Sequence, residues 1–145
     1  MPKSKNQRAP AELELVRAAV AARKHAAAPY SGFKVGAALL TATGRIISGA
    51  NVESASYGLT CCAERVALFN ALSQGERRFV AMAVVAAVSG GPMPCGACRQ
   101  LLTEYAPDLF VLTASPALRL EFRRFRLKDL LPKPFLRVPE KGAWA

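Results

Sequence analysis

Cys61, Cys62, Cys95 and Cys98 are the residues of this 145-residue chain best suited to chemistry. Cys95 and Cys98 are three apart, one turn of a helix face, so both sulfurs can reach a single ion. Cys62 opens another helical stretch and supplies a third thiolate, which leaves one position of a tetrahedral site open for water or a substrate oxygen. Soft sulfur donors make Zn2+ the default occupant. Glu64, two residues beyond Cys62, is near enough to face the open position without filling it. A Cys-x-x-Cys pair alone also serves redox proteins and structural zinc knuckles, and four thiolates could close a non-enzymatic zinc module. Adjacent cysteines seldom both reach one ion, and only Cys62 is in register with Glu64, so Cys61 is expected to be a small buried residue. His25, the sole histidine, reads as a helix-end residue rather than a ligand.

The elements that must position these groups follow from apolar spacing. Pro10, Glu12 and Glu14 suit a helix start, Arg23, Lys24 and His25 suit its end, and Leu13, Val16 and Val20 recur at helical spacing. Residues 34–40 and 45–50 read as a hairpin turning through Thr43-Gly44. A helix is predicted over 62–72, then a strand over 79–88 whose unbroken apolar run suits burial on both faces. Gly90, Gly91, Pro92 and Pro94 break the chain before a helix over 95–105 and a strand over 109–113. The stretch 118–127 alternates and then changes phase at Arg123-Arg124, which predicts a bulge. Only residues 114–117 separate it from the preceding strand, too few for a parallel crossover, so the last two strands should be antiparallel. The expected fold is α/β: a mixed five-stranded sheet in a three-layer α/β/α sandwich, spanning 11–137 as one domain. A basic, mobile tail (1–10) and a C-terminal tail (138–145) flank it.

With 52% hydrophobic and 21% charged residues the chain is not of disordered composition. No apolar run approaches the roughly 20 residues of a membrane span, and no apolar block follows the basic N-terminus, so neither membrane insertion nor export is expected. Free thiols then suit a cytoplasmic protein. The net charge of +10 is concentrated at the ends: +3 in residues 1–10, and eight basic against three acidic groups in 119–141. This pattern suits solvated edges better than a polyanion-binding face.

A ligand-x-Glu element followed by Pro-Cys-x-x-Cys resembles the zinc deaminase signature in its three-cysteine form. Four segments resemble the small homotetrameric cytidine deaminases: Tyr30 to Ala38, Asn51 to Gly58, Cys62-Ala63-Glu64-Arg65, and Pro94 to Gln100. The similarity covers roughly residues 12 to 136. It implies hydrolysis of cytidine and deoxycytidine to uridine and deoxyuridine in pyrimidine salvage, with zinc held by Cys62, Cys95 and Cys98. A zinc-bound hydroxide would attack C4 while Glu64 shuttles protons. The resemblance further implies that Arg65 hydrogen-bonds the sulfurs, that Asn51 and Glu53 grip the ribose 3′-hydroxyl, and that backbone near Ala63 reads the base edge. Phe33 would pack on the pyrimidine, and Tyr57 and Phe135 would reach across subunits of a homotetramer. Deamination of cytosine within RNA or DNA is the competing reading, disfavoured because polynucleotide enzymes usually carry His where this chain has Cys62.

Overall fold

The computed structural model describes residues 5–117 and 119–136, with side chains from Pro10 onward. The expected C-terminal tail, residues 1–4 of the N-terminal one, and Leu118 lie outside the described residues. Helices α1 (Lys5–Arg23), α2 (Ala63–Ser73), α3 (Gly96–Tyr105) and the short α4 (Leu127–Leu130) surround one sheet. Its strands are β1 (Val35–Thr41), β2 (Ile46–Ala50), β3 (Phe79–Ala86), β4 (Phe110–Ala114) and β5 (Phe122–Arg126), in the order β2-β1-β3-β4-β5. Among the described strands only β3 and β4 pair in parallel, with α3 in the crossover; β4 and β5 are antiparallel, as their short connection requires.

Alternation along the strands sorts the apolar residues into two cores. Ala81, Ala83 and Val85 of β3 face Leu15, Val16 and Ala19 of α1. Met82 and Val84, one residue out of phase, face Ala67 and Leu68 of α2 and Leu102 of α3. The result is the three-layer sandwich, and it explains why β3 is apolar at nearly every position.

Two expectations are corrected. Pro10 was expected in the first turn of its helix, but α1 begins at Lys5 and Pro10 lies inside it. A proline forfeits one N–H and crowds the carbonyl four residues back, which interrupts one rung without preventing upstream residues from coiling. The bulge expected at Arg123-Arg124 is also absent: β4 and β5 pair without a shift from Phe110↔Arg126 to Ala114↔Phe122. The phase of the apolar pattern changes because Arg124 takes an α1-facing place on the edge strand. Its guanidinium lies 3.5 Å from the Phe110 ring centroid, and its Nε donates to Glu12 of α1 at 3.0 Å. The sheet's irregularity falls instead between Leu40 and Thr41 of β1.

Two glycines let helices lie close on the sheet. A Cβ at Gly36 would sit 2.0 Å from the Ala19 carbonyl oxygen of α1, and one at Gly49 would sit 2.5 Å from the Ala67 nitrogen of α2. The opposing atoms are backbone, so neither contact can yield by side-chain rotation. Gly36→Ala is therefore expected to destabilise the chain by about 3 kcal/mol, at the upper end for overpacking. Urea unfolding followed by circular dichroism checks this.

Candidate metal centre and active site

Helices α2 and α3 each begin immediately after a cysteine. Cys62 and Cys95 are the N-cap residues, both in extended backbone conformation (ψ 151° and 167°), and Cys98 lies one turn into α3, buried. The positive ends of the two helix dipoles thus lie at the sulfur cluster. The Sγ atoms of Cys62 and Cys95 are 3.9 Å apart, those of Cys95 and Cys98 3.5 Å, and all three lie within 4.8 Å of one another. Tetrahedral zinc with Zn–S near 2.3 Å requires sulfurs ~3.8 Å apart. The donor set and its spacing thus fit the ion.

The electrostatics of the trio without a cation point the same way. The Cys62 thiol is lowered to about 5, chiefly by hydrogen bonding with Cys98 and also by Arg65 and Cys95, against an opposing effect of burial. Cys98 is pushed far up, first by its hydrogen bond with Cys62 and then by burial. One sulfur ionises only while its neighbour keeps a proton, so three thiolates at this spacing need a positive ion among them. Arg65 supplies part of that charge: one terminal nitrogen donates to the Thr60 carbonyl at 3.0 Å and to Cys62 Sγ at 3.8 Å. Among the described residues its Nε is buried without a hydrogen-bond partner.

Glu64, in the first turn of α2, is 5% exposed. Burial, assisted by repulsion from the Cys62 thiolate, raises its carboxyl to about 7, where a group can both take and give a proton near neutrality. Cys61 does not join the trio. It is half-buried rather than buried, and its backbone forms a two-bond bridge with Val52 (2.8 and 3.0 Å) at the edge of the site. Burial raises its thiol above the ordinary value. His25 lies exposed in the turn after α1, its N–H bonded to Ala22.

That Val52–Cys61 bridge places the second group of predicted residues beside the first, since Asn51 and Glu53 flank Val52 as Cys62 follows Cys61. Asn51 is 7% exposed and ties down the preceding loop: Nδ2 donates to the Phe33 carbonyl at 2.8 Å and Oδ1 accepts from Val35 N–H at 2.9 Å. Glu53 accepts from the N–H groups of Tyr30 and Ser31, each at 3.0 Å, and from the Ser31 hydroxyl. These bonds hold it below the usual carboxylate range, the Ser31 hydroxyl contributing most. A groove of about 330 Å³ is lined by Tyr30, Ser31, Glu53, Ser54, Tyr57 and Thr60. Phe33 stands exposed at its loop, and Ala63 is fully buried at the start of α2.

Phe135 is also exposed, with its backbone clasped by the Gln100 carboxamide, which donates to its carbonyl and accepts from its N–H. Arg99 donates to the Pro94 carbonyl (2.8 Å) and the Leu130 carbonyl (2.9 Å), so the residues after Cys98 fasten the C-terminal segment to α3. Ser31, Arg99 and Gln100 were not singled out by sequence reasoning. They lay within the motifs quoted, but nothing in local spacing reveals partners 22 to 35 residues away.

Residues 10–114 match the cytidine and deoxycytidylate deaminase zinc-binding region. The chain is 49% identical over 122 residues to a cytidine deaminase of Halalkalibacterium halodurans, covering 83% of this chain and 91% of that one. The crystal structure of the cytidine deaminase from Burkholderia pseudomallei superposes with a TM-score of 0.80 at 50% identity, over 85% of this chain and 98% of that one. That from Mycobacterium tuberculosis gives 0.72 at 41% identity, over 86% and 96%. An α/β/α sandwich with a three-sulfur site beside a buried glutamate defines a zinc deaminase fold. This chain belongs to the cytidine and deoxycytidylate deaminase zinc-binding family.

The separated thiol values predict a reactivity order in the metal-free protein. A thiol at about 5 is ionised at pH 6.5, whereas one raised above its ordinary value is not. Iodoacetamide should therefore alkylate Cys62 well ahead of Cys61 at pH 6.5, with Cys62 labelling fading below pH 5 and blocked by added zinc. Peptide mass spectrometry reads the order.

Proposed function

We propose that the chain is a zinc-dependent cytidine deaminase that hydrolyses cytidine and deoxycytidine to uridine and deoxyuridine. The observation that carries this reading is the juxtaposition of three sulfurs spaced for one ion with a buried carboxyl poised near 7. The identity to cytidine deaminases supports it. Cys62, Cys95 and Cys98 would hold zinc, with Arg65 and the two helix starts offsetting the excess negative charge. Bound there, the ion supplies Lewis acidity that makes water nucleophilic near neutral pH. Glu64 takes a proton from that water and passes it to ring N3, so that C4 becomes electrophilic. The water oxygen bonds to C4, Glu64 takes that oxygen's remaining proton and delivers it to the amino nitrogen, and the C4–N bond breaks, so that cytidine and water become uridine and ammonia.

Asn51 and Glu53 take the ribose 3′-hydroxyl, backbone near Ala63 meets the base edge, and Phe33 packs on the pyrimidine. Glu53 accepts three hydrogen bonds on one flank and retains lone pairs for a further donor. A carboxylate here would repel the phosphate that a polynucleotide carries at the 3′ position, which favours free nucleosides. The charge on β5 and α4 supports the same choice. Arg124 is paired with Glu12, Arg126 with Asp129 and Lys128 with Asp108, leaving less cationic surface for a polyanion than the sequence total suggests.

Homotetramer formation is part of the reading. Tyr57 and Leu59, 79% and 74% exposed beside the Glu53 groove, and the exposed Phe135 and Leu136 are large apolar surfaces suited to a second copy. Tyr57 and Phe135 would there complete a neighbour's pocket. Free thiol ligands suit a reducing cytoplasm, where the activity serves pyrimidine salvage.

Glu64→Gln is expected to retain one zinc per chain while kcat on cytidine falls about a thousandfold or more, followed by the ultraviolet change to uridine. Near-normal turnover would overturn the assignment. Cys61→Ala should keep its zinc and Cys98→Ala should lose it, measured by elemental analysis of purified protein. Activity on a cytidine-containing oligonucleotide equal to that on free cytidine would favour the polynucleotide reading instead.

A further inference from the structure

The loop that carries Phe33 and the segment that carries Asn51 and Glu53 are joined through one hydroxyl. Ser31 Oγ donates its only proton to Glu53 Oε2, and its lone pair accepts the Phe33 N–H at 2.9 Å. The Phe33 carbonyl is held from the other side by Asn51 Nδ2 at 2.8 Å. Both backbone polar groups of Phe33 are therefore fixed by side chains, and one of those side chains also orients the carboxylate. Gly32, at φ +67°, takes the left-handed conformation in the turn between Ser31 and Phe33.

We propose that Ser31 is a positioning residue for nucleoside recognition, aiming the Glu53 carboxylate at the sugar 3′-hydroxyl and fixing the backbone of the aromatic that packs on the base. The proposal rests on the reading of Glu53 as a ribose ligand. Two further observations bear on it. Tyr30 and Ser31 N–H both reach Oε1, so Oε2 receives its protein hydrogen bond from Ser31 Oγ, and loss of the hydroxyl leaves that oxygen free to turn. The same hydroxyl is the largest cause of the lowered Glu53 carboxyl value, in keeping with a hydrogen bond made to the ionised carboxylate. Ser31 is exposed, so its substitution leaves no cavity.

The test compares cytidine with 3′-deoxycytidine, which lacks the hydroxyl in question, on zinc-loaded wild type, Ser31→Ala, Ser31→Thr and Glu53→Gln. The wild type should prefer cytidine in kcat/KM by about a hundredfold, the range for a hydrogen bond to a charged group. Ser31→Ala should cut that preference about tenfold, mainly through KM, with kcat within about threefold, and Ser31→Thr should restore it. A preference unchanged in Ser31→Ala, even where both substrates lose equally, or a threonine variant that behaves like alanine would each refute the aiming of Glu53 by Ser31. Should Glu53→Gln itself leave the preference intact, the ribose reading fails and the Ser31 proposal with it. Loss in Glu53→Gln with full preference in Ser31→Ala refutes the Ser31 proposal alone.

Discussion

Three sulfur atoms within 4.8 Å of one another repel as thiolates, and this repulsion is the constraint around which the site is built. Each nearby feature reduces it. Two of the cysteines stand at helix N-termini, so the positive ends of two helix dipoles lie beside the cluster, and Arg65 brings a guanidinium to Cys62. A metal ion removes the remaining conflict. Burial, with a smaller contribution from the Cys62 thiolate, keeps the Glu64 carboxyl hard to ionise, so a proton carrier stands beside the sulfur cluster.

The fold serves that site by bringing two helix starts together over one sheet. Close seating of α2 on β2 depends on Gly49, where the helix backbone occupies the space a side chain would need. The crossover that makes β3 and β4 parallel delivers Cys95 and Cys98. Between β2 and α2, the Val52–Cys61 bridge draws Asn51 and Glu53 to the edge of the cysteine cluster. Cys61 is thereby explained without metal: its backbone joins the sugar-side segment to the sulfur-side helix.

The cysteine trio and Glu64 were legible in the sequence because metal ligation constrains residue type and spacing over short distances. The strands of the central sheet were legible for a similar reason, since burial on both faces of β3 leaves an unbroken apolar run. What escaped depends on contacts between distant segments. Arg124 in an inward position looked like a change of phase until Glu12, 112 residues earlier, proved to be its partner. Ser31 and Gln100 are ordinary polar residues whose importance arises when folding sets them against Glu53 and Phe135. Propensity carries no trace of such pairs. The early start of α1 escaped because proline marks helix beginnings as a tendency, while its physical effect is confined to one rung and one carbonyl.

The central claim is a three-sulfur zinc site with one position left for water or substrate. X-ray absorption at the zinc edge of the purified protein tests it most directly. The account predicts one zinc per chain with three sulfurs at about 2.3 Å and one oxygen or nitrogen at about 2.0 Å. A shell of four sulfurs, which would recruit Cys61 and close the site, or purified protein without zinc, would contradict it.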